Sequence, residues 1–120
     1  MAYDDSNIFA RILRGEIPCT KLYEDEFALA FADIRPAAPT HILIIPKGSY
    51  MSAQDFGAQA SPAEITGFYR AVSHVAAQAG VADSGYRIIS NAGPDSHQEV
   101  PHFHIHIVGG RKLGPLLTPS

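Results

Sequence analysis

The apolar and polar positions of this chain follow two different periods, and the change from one to the other marks the elements. Ile8, Phe9, Ile12 and Leu13 recur at helical spacing. Ser6 or Asp5 stands where a cap for this short helix is needed, and Gly15 where it must stop. Ile17-Pro18 then breaks the chain. Lys21 to Glu24 and Phe27 to Phe31 read as two strands joined by the acidic turn Glu24-Asp25-Glu26. Pro36 and Pro39 stiffen a loop that begins at Asp33. His41 to Ile45 is an apolar, β-branched run closed by Pro46, the pattern of a strand buried on at least one face.

The longest periodic segment follows Ser61. Ser61 as N-cap, Pro62 at the first helical position and Glu64 as the partner of a capping box predict a helix that Gly80 ends. Ile65, Phe68, Val72, Val75, Ala76 and Ala79 share its apolar face, and His74 falls on the opposite, solvent side. Two more strands, Tyr86 to Ser90 and His102 to Val108, flank a loop from Asn91 to Pro101. Most of these strands lie too close together for parallel crossovers. The expected fold is therefore α+β: a five-stranded antiparallel sheet with one long and one short helix, in a single domain over residues 1–120.

Composition narrows the function classes. A 120-residue chain with 46% hydrophobic and 18% charged residues is ordinary globular material and not wholesale disorder. A formal charge of −3 argues against a broad basic face for nucleic acid. The single Cys19 can form neither an internal disulfide nor a Cys-rich zinc site. Met1 to Asp5 is acidic, with no secretory pattern, and the apolar run Ile42 to Ile45 is far short of a membrane span. The expected compartment is the cytosol, with no membrane partner.

Four of the six histidines lie between His97 and His106. His102, His104 and His106 alternate with Phe103, Ile105 and Ile107, so in a strand the imidazoles share one face and the apolar side chains the other. Such a row, with Cα atoms roughly 6.6–6.8 Å apart, can do two kinds of chemistry. A neutral imidazole can attack phosphorus covalently if its other nitrogen keeps a proton. The preceding loop, where Gly93 permits unusual backbone angles and Asn91 and Gln98 add donors, would then hold a phosphate. Alternatively, two of the imidazoles chelate Zn²⁺ with His41 or Glu99 as third ligand. Spacing alone leaves both open. The remaining reading is a solvated polar face.

The segment His102-Phe103-His104-Ile105-His106-Ile107-Val108 resembles the histidine-triad signature, in which three histidines alternate with apolar residues. Asn7-Ile8-Phe9, Gly15-Glu16-Ile17-Pro18, Phe31-Ala32-Asp33-Ile34 and Ala38 to Lys47 are similar to the Hint branch of that family. So are Gly85-Tyr86-Arg87, Asn91 and Gln98-Glu99-Val100, and the tail Gly109 to Pro115 resembles its bacterial members. The resemblance covers residues 6 to 117. It implies a homodimeric hydrolase of purine nucleoside 5′-phosphoramidates that needs no cofactor or metal and releases AMP and an amine. By motif position, His104 is the nucleophile. His106, Asn91, His97, Gln98 and Glu99 hold the α-phosphate, and Asp33 and Ile34 meet the ribose and base. Ile8, Phe9, Ile12 and Phe31 wall the purine, while His102 and His41 orient His104. The alternatives are a dinucleoside polyphosphate hydrolase of the same superfamily and a nucleotide-binding module without turnover.

Three features depart from the pattern. Glu99 stands where eukaryotic Hint proteins have Ser, and a carboxylate beside a phosphate is repulsive. His97 replaces a glycine common in that loop. The tail, with Leu113 to Leu117, lacks the Trp of eukaryotic relatives.

Overall fold

The structure, a computed structural model, describes residues 3–117; Met1, Ala2 and 118–120, which belong to the expected single-domain range, lie outside them. Its sheet grows from short apolar strands. Strands β1 (Lys21–Glu24), β2 (Ala28–Ala32), β3 (Thr40–Pro46), β4 (Tyr86–Ile89) and β5 (Ile105–Gly109) pair antiparallel throughout, in the order β1-β2-β3-β5-β4. The five-stranded antiparallel sheet of the sequence reading is present. In β3, Ile42 to Ile45 are all buried because the sheet is covered on both faces.

One face carries the larger core. Ile42, Ile44, Ile105, Ile107 and Phe103 pack there with Phe68, Val72 and Val75 of the long helix α3 (Pro62–Gln78). Ala28 and Ala30 of β2 also point to this side, and their small side chains leave room for the helix. Helix α3 opens with the expected capping box between Ser61 and Glu64 and ends before Gly80, whose φ of +79° supplies the left-handed turn. His74 is exposed, as its place on the wheel requires, and its ring lies against Tyr23. The opposite face of the sheet carries Leu29, Phe31, Leu43 and Ile45, covered by Phe9 of helix α1 (Ile8–Leu13).

Four expectations need correction. A further short helix, α2 (Ala53–Gln59), follows Ser52, whose hydroxyl accepts from the Asp55 amide; Phe56 is its one buried residue, too little periodicity to stand out in the sequence. The cap of α1 is Asn7, not Ser6 or Asp5, with its carboxamide oxygen accepting from the Ala10 amide at 2.9 Å. Strand β5 begins at Ile105, because the Phe103 amide donates to the Tyr50 carbonyl at 2.6 Å instead of to the ladder. Ala71, left out of the apolar face of α3, is buried. Among the described residues no helix is long and apolar enough to cross a membrane.

Two helical glycines separate propensity from packing. A Cβ at exposed Gly57 in α2 meets nothing within 4 Å, whereas a Cβ at Gly67 in α3 falls 2.1–2.7 Å from the Phe27 ring. Gly57→Ala should therefore raise the unfolding free energy by about 0.5–1 kcal/mol. Gly67→Ala should lower it by about 1–3 kcal/mol despite its better helix propensity. Urea denaturation of both variants checks the opposite signs.

Candidate active site

The site forms where the α1 face of the sheet meets the loop before β5. Across the β3–β5 ladder Leu43 stands opposite His106 and His41 opposite Val108. The alternation places His104 and His106 on the α1 face and Phe103, Ile105 and Ile107 in the α3 core. A cavity of about 210 Å³ opens there, lined by Phe9, Asp33, Leu43, Asn91, His97, Glu99, Val100, His104 and His106. A wider groove of about 570 Å³ lies between the β1–β2 turn and α3; it carries Asp25 and Arg70 but no histidine, so it lacks the chemistry of the smaller cavity.

Hydrogen bonds assign a tautomer to each imidazole. His104 Nδ1 lies 2.7 Å from the backbone carbonyl of His102, so that nitrogen carries the proton and Nε2 keeps a lone pair. The ring itself is buried against the edge of Phe9, with centroids 4.8 Å apart. His102 lies behind it with both nitrogens engaged: Nε2–H donates to the Pro46 carbonyl at 3.0 Å, and Nδ1 accepts from the Tyr3 hydroxyl at 2.5 Å. The Tyr3 hydroxyl in turn accepts from the Asn7 carboxamide at 3.0 Å. His41 Nδ1 accepts from the Ala37 amide at 2.9 Å, so its Nε2–H points at His106 Nδ1, also 2.9 Å away, with Asp33 Oδ2 at 3.4 Å. His106 is thereby left with a proton on Nε2.

Burial sets the charge state. Removal from water pushes the His104 pKa down, against the opposing pull of the His102 carbonyl and of the Asp33 and Glu99 carboxylates. Desolvation likewise takes His102 down to about 4. It also takes His106 to about 4, helped by the neighbouring His104 and His41. The trio is neutral at neutral pH, the form in which an imidazole is a nucleophile or a neutral donor.

Of the residues picked out in the sequence, Phe9, Asp33, Asn91, His97, Glu99, His104 and His106 line the cavity. Phe31 is buried beneath Phe9, and Ile12 packs on the same apolar cluster, so neither lines the cavity. Ile8 and Ile34 face solvent, Ile34 at 93% exposure. The Gln98 carboxamide is spent on the loop, donating to the Met51 and Val100 carbonyls and accepting from the Gly93 amide. The His97 and Gln98 amides are bonded to the Pro94 and Gly93 carbonyls, so these two are not free for a phosphate. His104 is held by the His102 carbonyl and not by the His102 ring, and His41 bonds His106 and not His104. Leu43, Val100, Tyr3 and Asn7 were missed. Asn7 and Val100 stand in segments that carry the family resemblance, and Leu43 is readable as a neighbour of His106 once β3 and β5 are paired.

Of the His-x-His pairs open to a metal, His102 and His104 present no chelate, because both nitrogens of His102 and one of His104 already have partners. Among the described residues Asp33, His41 and His106 do offer ligand atoms that all lie within 4.8 Å of one another.

Comparison with known proteins adds the following. A family model described as HIT domain matches residues 14–113. A 13.2 kDa HIT-like protein of Azospirillum brasilense is 63% identical over 116 residues, 97% of this chain and 95% of that one. The purine nucleoside phosphoramidase of Escherichia coli K12 is 42% identical over 114 residues, 95% of each. A 14 kDa zinc-binding protein of Zea mays is 44% identical over 110 residues, 92% of this chain and 86% of its own. Among solved structures, a HIT family hydrolase from Clostridium thermocellum superposes with a TM-score of 0.86 at 36% identity, over 96% of this chain and 99% of that one.

The lowered pKa values bear on stability. An unfolded imidazole binds its proton near pH 6.5, whereas folded His102 and His106 resist protonation down to about 4. Between those values the unfolded chain holds more protons, so unfolding free energy should fall as pH drops from 6.5 to 4. Denaturant titrations at stepped pH should show this slope, and His106→Gln should flatten it. An unchanged slope in that variant would mean that His106 titrates normally.

Proposed function

Because the chain belongs to the HIT domain family, we propose that it hydrolyses purine nucleoside 5′-phosphoramidates through a nucleotidyl-histidine intermediate. The observation that carries this reading is the buried, neutral His104, whose Nδ1 proton is tied to the His102 carbonyl and whose Nε2 is free at the cavity. The 42% identity to a purine nucleoside phosphoramidase supports the substrate class.

In the proposed reaction, His104 Nε2 attacks the α-phosphorus. A nitrogen–phosphorus bond forms to the ring and the bond to the amine breaks. The amine departs through the mouth of the cavity, where water supplies its proton. A water molecule then attacks phosphorus, its oxygen stays on AMP, its released proton neutralises the hydroxide left when water protonated the amine, and the bond to Nε2 breaks, so His104 returns to its starting form. The His102 carbonyl faces the Nδ1–H throughout and stabilises the positive charge the ring gains as it bonds to phosphorus. His106 Nε2–H, aimed by the His41 bond to its Nδ1, donates to a phosphoryl oxygen. Asn91 and the Glu99 amide complete the phosphate contacts. Asp33 accepts from the ribose hydroxyls while its Oδ1 also holds the Arg35 amide at 2.7 Å. A cavity of about 210 Å³ is smaller than the usual ligand site of about 300–1,000 Å³. In this reading the phosphate and ribose fill it and the base lies over the rim, against Phe9 and exposed Ile34.

His104→Ala should lower kcat/KM for an adenosine phosphoramidate by about three orders of magnitude or more while leaving the circular dichroism spectrum intact. Rapid quenching of the wild type should trap AMP bonded to His104, and activity without any protein adduct would defeat the mechanism. The acidic limb of the kcat/KM profile should fall below pH 6.5, because burial lowers the His104 pKa from that value. Diadenosine polyphosphates should be turned over more slowly than the phosphoramidate.

We further propose that two copies associate through β4. It is an edge strand, and it exposes Tyr86, Ile88 and Ile89 beside an unpaired row of backbone groups. Light scattering should give twice the mass of one chain, and Ile88→Lys should give a monomer.

A further inference from the structure

His97 is the one described non-glycine residue with positive φ, at φ 61° and ψ 46° in the left-handed region. Histidine is tolerated there better than most side chains, but a glycine would hold the same backbone without steric strain. A strained residue on an exposed loop calls for a compensating function. Its ring extends to the neighbouring carboxylate, with Nε2 3.0 Å from Glu99 Oε1, and both residues line the mouth of the cavity.

The charges facing that mouth make the pairing consequential. From the β2–β3 loop comes the Asp33 carboxylate, and from the loop before β5 the Glu99 carboxylate. From β3 and the β5 segment come His41, His104 and His106. No lysine or arginine lines the cavity. An anionic phosphate entering here meets two carboxylates and no permanent cation. Glu99 also reaches inward, favouring the protonated forms of both His104 and His106, which for His104 would remove the nucleophilic lone pair.

We propose that His97 is a specificity-determining residue that masks the Glu99 carboxylate, turning a rim that repels anions into one that admits a phosphoryl substrate. This rests on the reading of the cavity as a nucleotidyl-transfer site. The His97 ring Nε2–H donates to Glu99 Oε1 at 3.0 Å and so takes up part of the negative charge that Glu99 presents at the rim. The pair is largely exposed, so its effect is modest and grows with the charge of the ligand.

The test is a four-protein cycle of wild type, His97→Gly, Glu99→Gln and the double variant, measured at low and high salt. His97→Gly should fold with a higher denaturation midpoint, because the strain is gone. It should nevertheless raise KM for an adenosine phosphoramidate about threefold to fivefold, with a smaller change in kcat. Inhibition by AMP, with its second negative charge, should weaken more than KM rises. Glu99→Gln should abolish the penalty, so that the double variant matches Glu99→Gln alone, and high salt should shrink it in the single variant. An unchanged KM and AMP affinity in His97→Gly, or the same loss whether residue 99 is Glu or Gln, would overturn the masking role. If the wild type turned over no phosphoramidate, the proposed activity would fall instead, and AMP titrations of the same four proteins would still decide the role of His97.

Discussion

The 2.7 Å hydrogen bond between His104 Nδ1 and the His102 carbonyl is the constraint on which the site depends. It requires a backbone carbonyl that the sheet does not use. The strand satisfies this by entering the ladder only at Ile105, while the preceding residues are held from the side. Phe103 bonds to Tyr50, the His102 ring to Pro46 and Tyr3, and the Ser90 hydroxyl takes the His104 carbonyl at 2.8 Å. The Phe103 amide, both nitrogens of the His102 ring and the His104 carbonyl therefore have defined partners, while His104 Nε2 is left free at the cavity. Turning the ring by half a turn would set Cδ2–H against that carbonyl and forfeit the Nδ1–H bond that fixes the tautomer.

The two faces of the sheet divide the work. The α3 face is apolar and closely packed from Phe56 and Phe68 to Phe103, and it fixes the strand that carries the imidazoles. The α1 face carries a smaller cluster and gives way, beyond Phe9, to the cavity. Functional groups held on strands and backed by a rigid core keep their geometry better than groups on loops. His104 and His106 belong to the first class, and His97 and Glu99 to the second. In the proposed reading the rim is accordingly where a change of side chain alters ligand preference without moving His104.

Burial has two consequences for the same residues. It keeps His104 neutral, as the proposed nucleophilic attack requires, and it keeps His102 and His106 neutral to about pH 4. Those depressed pKa values also set a cost in acid, where the unfolded chain accepts protons that the folded one refuses. The left-handed backbone at His97 is a separate local cost, borne where the proposed phosphate enters.

The sequence alone determined the features that depend on near neighbours. The capping box of Ser61 and Glu64, the turn at Gly80, the antiparallel sheet and the split of histidines from Phe103, Ile105 and Ile107 all follow from spacing and turn chemistry. Helix α2 stayed hidden because a single buried Phe56 gives no period to read. What only the tertiary structure decided is which nitrogen of each imidazole carries its proton. The partners that decide it, Tyr3 for His102 and His41 for His106, lie 99 and 65 residues away in the chain, and the carbonyl that holds His104 is available only because the strand starts late. Tertiary packing also moved Phe31 beneath Phe9 and drew the Gln98 side chain into bracing its own loop. A one-dimensional pattern fixes which face a residue takes, but a hydrogen-bond network depends on distances between segments that meet only when the chain has folded.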